Sequence, residues 1–137
     1  AHEALSLDYE RALARTDPVT GQLYGSSGHF LWAGERTRQP DGAHIDFLSR
    51  IANPIGVKVG PDAHPDYVLS LLQHLDPHRK PGRLTLVARM GAGLVEERLA
   101  PIVAKVETNA APMFSKHCWA CAFGSPTPTT LPSFSAT

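Results

Sequence analysis

Long apolar segments are absent from this sequence. No run approaches the roughly 18 consecutive apolar residues that suggest a membrane-spanning helix, so we predict no membrane association. Neither sign of charge is in excess, because 13 lysine and arginine residues balance 13 aspartate and glutamate residues. The whole chain therefore produces no field that would favour nucleic acid or an anionic membrane as a partner. A binding site for anions would need a few well-placed cationic side chains.

Cysteine is also scarce. The chain holds only Cys118 and Cys121, too few for a disulfide framework, and its start lacks the apolar region of a signal peptide. We therefore expect a cytoplasmic protein. Because the first residue is Ala1 rather than methionine, we expect the chain to be processed or a piece of a longer protein. Its 137 residues, 42% hydrophobic and 19% charged, are typical of one globular domain.

The order of predicted helices and strands indicates an α/β protein. Apolar residues recur at helical spacing over residues 1–15, 41–52, 65–75 and 94–106. Short apolar runs have the composition of buried strands at residues 29–33, 55–59 and 83–89. Asp41 is a candidate N-cap, and Pro65 suits the first turn of the next helix. One helix followed by three strand–helix units predicts parallel strands with right-handed crossovers.

The composition changes near the C-terminus. Residues 124–137 are almost entirely Ser, Thr, Pro, Gly and Ala, with only Leu131 and Phe134 to bury. Such a segment cannot bury enough apolar surface to offset the entropy of ordering it. We therefore divide the chain into an α/β part over residues 1–106 and a divergent tail over residues 107–137, which we expect to be disordered.

Positively charged residues lie at the ends of the three predicted strands. The first strand runs into Arg36 and Arg38, the second carries Lys58, and the third ends on Arg89. Parallel strands end at one edge of a sheet, where α/β enzymes form their sites, so these side chains should meet there. Guanidinium groups bind phosphate or carboxylate in a planar fork. Because Lys58 interrupts an apolar strand, where an unpaired charge is costly, we expect an anionic ligand or a carboxylate beside it.

Three longer segments carry a family resemblance. Residues 34–44 are GERTRQPDGAH, residues 51–58 are IANPIGVK, and residues 80–91 are KPGRLTLVARMG. In this order they resemble motifs of the class II DAHP (3-deoxy-D-arabino-heptulosonate-7-phosphate) synthases. The LDYERAL segment at residues 7–13 fits the helix that precedes these motifs. The resemblance extends over about residues 3–106.

That family resemblance implies a fold and an activity. The fold is a (β/α)8 TIM barrel, to which this chain would contribute about three β/α units. The activity is that of a transferase that condenses phosphoenolpyruvate with erythrose 4-phosphate and releases phosphate. This reaction is the first step of the shikimate pathway, which leads to chorismate and the aromatic amino acids. The complete enzyme would be a homo-oligomer.

The resemblance also implies roles for four residues of this chain. By motif position, Glu35, Arg36, Lys58 and Arg89 would line the phosphoenolpyruvate site. The three cations would neutralise the phosphate and carboxylate of the substrate, a large catalytic contribution. Glu35 would act through its backbone or orient a water molecule. Lys58 is also the candidate catalytic residue, as a proton donor.

A divalent metal, manganese in the first place, is implied for the complete enzyme. The family holds it with an early cysteine, a histidine in a DPMHGNT motif, and later Glu and Asp residues. That motif is absent from residues 111–124, where it should follow, and Pro40 replaces a larger aliphatic residue. His117, Cys118 and Cys121 are the alternative ligands, but a zinc site needs four well-spaced ones. We therefore predict no metal ligand in this chain.

Three functions stay open. The chain is a DAHP synthase segment that is inactive alone, a truncated relative that serves as an interaction or regulatory module, or another phosphate-handling barrel enzyme such as an aldolase. The motifs argue against the third. With the rest of a barrel missing, we expect Val57, Leu84 and Leu86 to lose their partner layer. The isolated chain should then associate or stay partly ordered.

Overall fold

The computed structural model describes residues 1–110, which form a parallel sheet covered by helices. In chain order the elements are β1 (His2–Glu3), α1 (Leu7–Ala12), β2 (Ala14–Thr16), β3 (Leu23–Gly25), β4 (Leu31–Ala33), α2 (Ala43–Arg50), β5 (Ile55–Val59), α3 (Pro65–Leu75), β6 (Leu84–Ala88) and α4 (Val95–Ala110). The main sheet has the strand order β1–β4–β5–β6 with every pair parallel. Strands β2 and β3 form a separate antiparallel hairpin. The predicted α/β class is confirmed.

The N-terminal segment differs from its prediction. Instead of one helix over residues 1–15, the chain forms strand β1, the short helix α1 and then strand β2. His2 pairs with Leu31 and Glu3 pairs with Trp32, which adds β1 to the edge of the sheet. A strand of two residues is too short to show a period, so the helical spacing nearby dominated the prediction. The described residues therefore contain four strand–helix units rather than about three.

The later elements lie closer to their predictions. Helix α3 and strand β5 have the predicted bounds, and Pro65 begins α3, as expected. Helix α4 continues past Val106 to Ala110, and the rest of the predicted tail lies outside the described residues. The N-cap prediction for Asp41 is wrong. The amide of Gly42 donates to the carbonyl of Gln39 at 2.8 Å, which closes a turn, so α2 begins after Gly42 without a side-chain cap.

The two faces of the main sheet differ in burial. Strand register places Ile55 and Val57 of β5 beside Leu84 and Leu86 of β6, and these side chains belong to or pack against the buried core. Val57 is 0% and Leu84 is 1% exposed. The expectation that these residues lose their partner layer is therefore wrong for Val57 and Leu84, because they lie on the face that α2 and α3 cover. Leu86 packs against the same core but is only half-buried.

Residues at alternate positions point to the other face. There the register aligns Trp32 with Gly56 and Thr85, and Lys58 with Val87. Apart from Gly56, these residues are only half-buried. The open face is thus the one that carries Lys58.

Two buried polar side chains connect the loops at the N-terminal edge of the sheet. The guanidinium of Arg83 donates to the carbonyls of Leu75 and, at 2.7 Å, of Ile51, and it lies 3.4 Å from the carboxylate of Asp76. The amide of Asn53 bonds both backbone groups of Gly25, at 2.8 and 3.0 Å. These contacts satisfy buried polar groups that would otherwise be costly. They give Arg83 and Asn53, both within the recognised motifs, a structural task away from the cationic edge.

Candidate functional site

A cleft opens at the C-terminal edge of the parallel sheet. It has a volume of about 360 Å³, which is in the range of small-molecule sites. Residues at or just beyond the ends of the parallel strands form its walls. They are Glu3, Gly34, Glu35, Arg36, Lys58, Gly60, Pro61, Asp62 and Arg89.

All four predicted site residues line this cleft. Strand β4 leads through Gly34 into a single turn of 3₁₀ helix that carries Glu35 and Arg36. Lys58 lies near the end of β5, and Arg89 directly follows β6. The amide of Arg89 still donates to the β5 carbonyl of Val59 at 2.9 Å, which fixes the start of its loop. Parallel pairing therefore delivers the four side chains to one place, while their chemical roles stay predictions.

Lys58 has two partners in the cleft. Its ammonium lies 3.8 Å from a carboxylate oxygen of Glu3 and 5.0 Å from the ring centroid of Trp32, a distance at which a cation is attracted to an aromatic face. The sequence predicted an anionic partner for Lys58 without identifying one. Glu3 was missed because strand β1 was missed. A Cβ atom at Gly34 would overlap the Glu3 carboxylate, so the glycine leaves room for this pair.

Glu35 is held from behind the cleft. Its carboxylate pairs with Arg38, whose side chain is buried and does not line the cleft. The Arg38 guanidinium lies 4.9 Å from the ring centroid of Tyr67, and the Tyr67 hydroxyl donates to the Arg38 carbonyl at 2.8 Å. A Cβ atom at Gly60 would lie 3.1 Å from the other Glu35 oxygen. Arg38, predicted to join the cationic edge, thus sits one layer behind it.

The remaining cations are available for a ligand. Among residues 1–110, no carboxylate forms an ion pair with Arg36 or Arg89, and both side chains are exposed. Two guanidinium groups and the Lys58 ammonium therefore face one small cleft. Such an arrangement can bind a molecule with two anionic groups. Each anionic group can accept hydrogen bonds from a planar guanidinium or pair with the compact ammonium charge.

The described residues do not provide a metal centre. Within residues 1–110, no three His, Cys, Asp or Glu side chains are grouped so that they could hold an ion. The two carboxylates best placed in the cleft, Glu3 and Glu35, are paired with Lys58 and Arg38. The alternative ligands at positions 117, 118 and 121 lie outside the described residues. The described part of the chain also contains no helix long and apolar enough to cross a membrane.

Comparison with known proteins adds independent support. The chain is 55% identical over 111 residues to a phospho-2-dehydro-3-deoxyheptonate aldolase of Streptomyces coelicolor, a match that covers 81% of this chain and 25% of that protein. The corresponding enzyme of Mycolicibacterium smegmatis is 52% identical over 114 residues, covering 80% of this chain and 25% of the relative. A probable chloroplastic enzyme of Catharanthus roseus is 46% identical over 106 residues, covering 77% and 22%.

The chain spans about a quarter of the length of these curated relatives. A sequence model of the class-II DAHP synthetase family matches residues 1–123. This range includes every motif on which the resemblance rested and continues past residue 106, where we had placed its end. The chain therefore belongs to the class-II DAHP synthetase family.

Proposed function

We propose that this chain forms the phosphoenolpyruvate-binding part of a DAHP synthase, a transferase that condenses phosphoenolpyruvate with erythrose 4-phosphate. The observation that carries this proposal is the convergence of Arg36, Lys58 and Arg89 from three neighbouring parallel strands on one cleft. Phosphoenolpyruvate presents a phosphate and a carboxylate within a small volume, which suits three cations at one edge. The names of the relatives support the same reaction.

The side chains of the cleft divide the work between binding and proton transfer. Arg36 and Arg89 bind the two anionic groups and orient the substrate. Lys58, held by Glu3 and the face of Trp32, is the candidate proton donor through Nζ. Fixed charges of this kind lower a barrier because they need no reorganisation when charge develops on the substrate.

The complete enzyme would add the parts that these residues lack. We infer that the four strand–helix units belong to a (β/α)8 barrel, whose sites lie at the same C-terminal edge. A divalent metal, manganese in the first place, would take its ligands from segments other than residues 1–110. A homo-oligomeric assembly, a cytoplasmic location and a place in the shikimate pathway stay predictions.

Binding of phosphoenolpyruvate tests the proposal directly. Calorimetric titration of the 137-residue chain should show binding that Arg89→Gln weakens by roughly 10- to 100-fold, the effect of about 1.5–3 kcal/mol for a lost charged hydrogen bond. Arg98→Gln is the matched control, since Arg98 lies exposed on α4 beside Glu97 and outside the cleft. Equal affinities for the two variants would contradict the proposed site.

Turnover separates an enzyme segment from an enzyme. Because residues 1–110 contain no grouped metal ligands, the pure chain should not consume phosphoenolpyruvate in the presence of erythrose 4-phosphate and manganese. Measurable product would show that the chain is catalytic alone and would return attention to positions 117, 118 and 121. A regulatory or interaction module, the alternative function, predicts no turnover and also no loss of affinity in Arg89→Gln.

A further inference from the structure

We propose that Arg38 is a positioning residue that holds the Glu35 carboxylate against the wall of the cleft and so leaves Arg36 and Arg89 free for an anionic substrate. The inference rests on the proposed function of the cleft as an anion site. It concerns a residue that does not line the cleft.

The charges of the cleft create the need for such a residue. Three cations line it, and three carboxylates line it as well, those of Glu3, Glu35 and Asp62. If every carboxylate turned inward, the lining would be neutral and each cation would have a partner from the protein. Anion binding therefore requires that at least one carboxylate is held by a cation from outside the cleft, and Arg38 is that cation for Glu35.

The surroundings of Arg38 fix it in this place. Arg38 is only 7% exposed. Its guanidinium lies over the Tyr67 ring, and its carbonyl accepts a hydrogen bond from the Tyr67 hydroxyl. Because Tyr67 of α3 contacts both the backbone and the guanidinium of Arg38, these contacts favour a guanidinium that stays outside the cleft. The Glu35 carboxylate must stay near Arg38 to keep its charge partner.

Stability alone does not explain a buried arginine here. The Nε atom of Arg38 has no hydrogen-bond partner among the described residues, and an unsatisfied buried donor costs free energy. The Glu35 side chain is 49% exposed, so solvent weakens the pair. A buried ion pair is weak evidence for stability in general. The free-energy cost of the buried Arg38 is consistent with a role in fixing the position of the Glu35 carboxylate.

A double-mutant cycle tests the inference on the full 137-residue chain. Binding of phosphoenolpyruvate and of inorganic phosphate is measured for the parent, Arg38→Gln, Glu35→Gln and the double variant. Released from Arg38, Glu35 can turn to the cleft cations, so Arg38→Gln should weaken anion binding by roughly tenfold, the scale of one competing charge pair. In the Glu35→Gln background the same change should have little effect, since no carboxylate remains to be released.

Two further variants separate positioning from folding. Tyr67→Phe removes the hydroxyl contact to the Arg38 backbone but keeps the ring against the guanidinium and the ion pair, so anion affinity should stay near that of the parent. Arg38→Lys keeps a charge in the same place and should recover part of the affinity. Circular dichroism and thermal unfolding check that each variant folds. If Arg38→Gln does not fold, Arg38→Lys in the two Glu35 backgrounds provides the cycle.

The possible outcomes are distinguishable. If Arg38→Gln weakens anion binding equally in both Glu35 backgrounds, Arg38 has a structural role. That result would overturn the positioning inference and leave the proposed function of the cleft intact. Coupling between the two positions, with phosphoenolpyruvate binding no better than inorganic phosphate, would contradict the proposed substrate and leave the positioning role intact. A parent chain that binds neither anion would refute both proposals.

Discussion

Charged side chains at the two edges of the sheet differ in burial and in pairing. At the N-terminal edge, Arg83 is buried and spends its donors on the carbonyls of Leu75 and Ile51. At the C-terminal edge, Arg36 and Arg89 are exposed and have no protein carboxylate among residues 1–110. Burial and pairing therefore distinguish the structural arginine Arg83 from Arg36 and Arg89, which we propose bind the substrate, although all three occur within the family motifs.

The structural task of Arg83 leads to a stability prediction. Arg83→Met should lower the free energy of unfolding by about 3–5 kcal/mol, because it leaves the buried Asp76 carboxylate without its partner. Arg50→Met is the control, since the Arg50–Asp46 pair on α2 is exposed, and it should change little. Urea unfolding of the three proteins measures the difference. Similar losses in both variants would contradict the assigned role of Arg83.

Residue-level prediction from the sequence succeeded where a motif or a strand end marked the position. Lys58 was identifiable because a charge inside an apolar strand is unusual, and it lies in the cleft. Glu3 and Tyr67 carried no such mark. Glu3 is one of several acidic residues near the start of the chain, and Tyr67 looks like an ordinary residue of α3. Their roles depend on tertiary contacts that span 29 residues or more of sequence.

At the scale of elements, length decided which predictions held. Strand β5 and helix α3 are long enough to show their periods and are bounded by Gly60 and Pro65. Strands β1 and β2 have two and three residues, too few for alternation to be recognised. Their pairing depends on neighbours that local sequence does not reveal. The prediction of about three strand–helix units was therefore too low, while the predicted α/β class was correct.

Packing of α3 against α4 should depend on pH. The hydrogen bond and the charge of Lys105, 2.6 Å from the Asp66 carboxylate, lower the pKa of Asp66 below its usual 3.8. A carboxyl whose pKa is lower in the folded state stabilises the fold above its unfolded pKa, and this contribution is lost as the pH falls through the folded pKa. Below about pH 4, the parent should therefore lose stability more steeply than Asp66→Asn.

Thermal unfolding between pH 5 and about pH 2.5 measures this effect. Lys105→Met is the matched variant, because it removes the other half of the pair and should flatten the same part of the curve. Asp17, whose pKa is lowered by its bonds to Thr20 and Val19, contributes to all three proteins alike. Parallel curves for the parent and both variants would show that the pair does not link the helices.

At the scale of the molecule, the chain has a closed side and an open side. Val57, Leu84 and the helix residues bury the core on one face of the sheet, so the described part of the chain has a core of its own. On the other face, Trp32, Thr85 and Val87 are half-buried. Among residues 1–110, strand β6 is also the edge strand of the sheet, so one side of its backbone has no partner strand there. The chain can therefore fold around its own core and still associate through its half-buried face and the edge of β6.

Self-association should depend on this open side. We expect the 137-residue chain to form concentration-dependent oligomers, because an exposed edge strand with a partly apolar face recruits other strands. Val87→Lys places a charge on β6 beside Lys58 and should shift the chain toward the monomer. Val19→Lys is the matched control, since Val19 is 90% exposed in the β2–β3 hairpin loop, away from the sheet. Sedimentation velocity over a range of concentrations follows both variants.

Because the core lies on the face of the sheet that the helices cover, Val87→Lys should keep a cooperative thermal transition. A parent chain that is a monomer at every concentration would contradict this prediction, because it would show that neither the open face nor the edge of β6 promotes association.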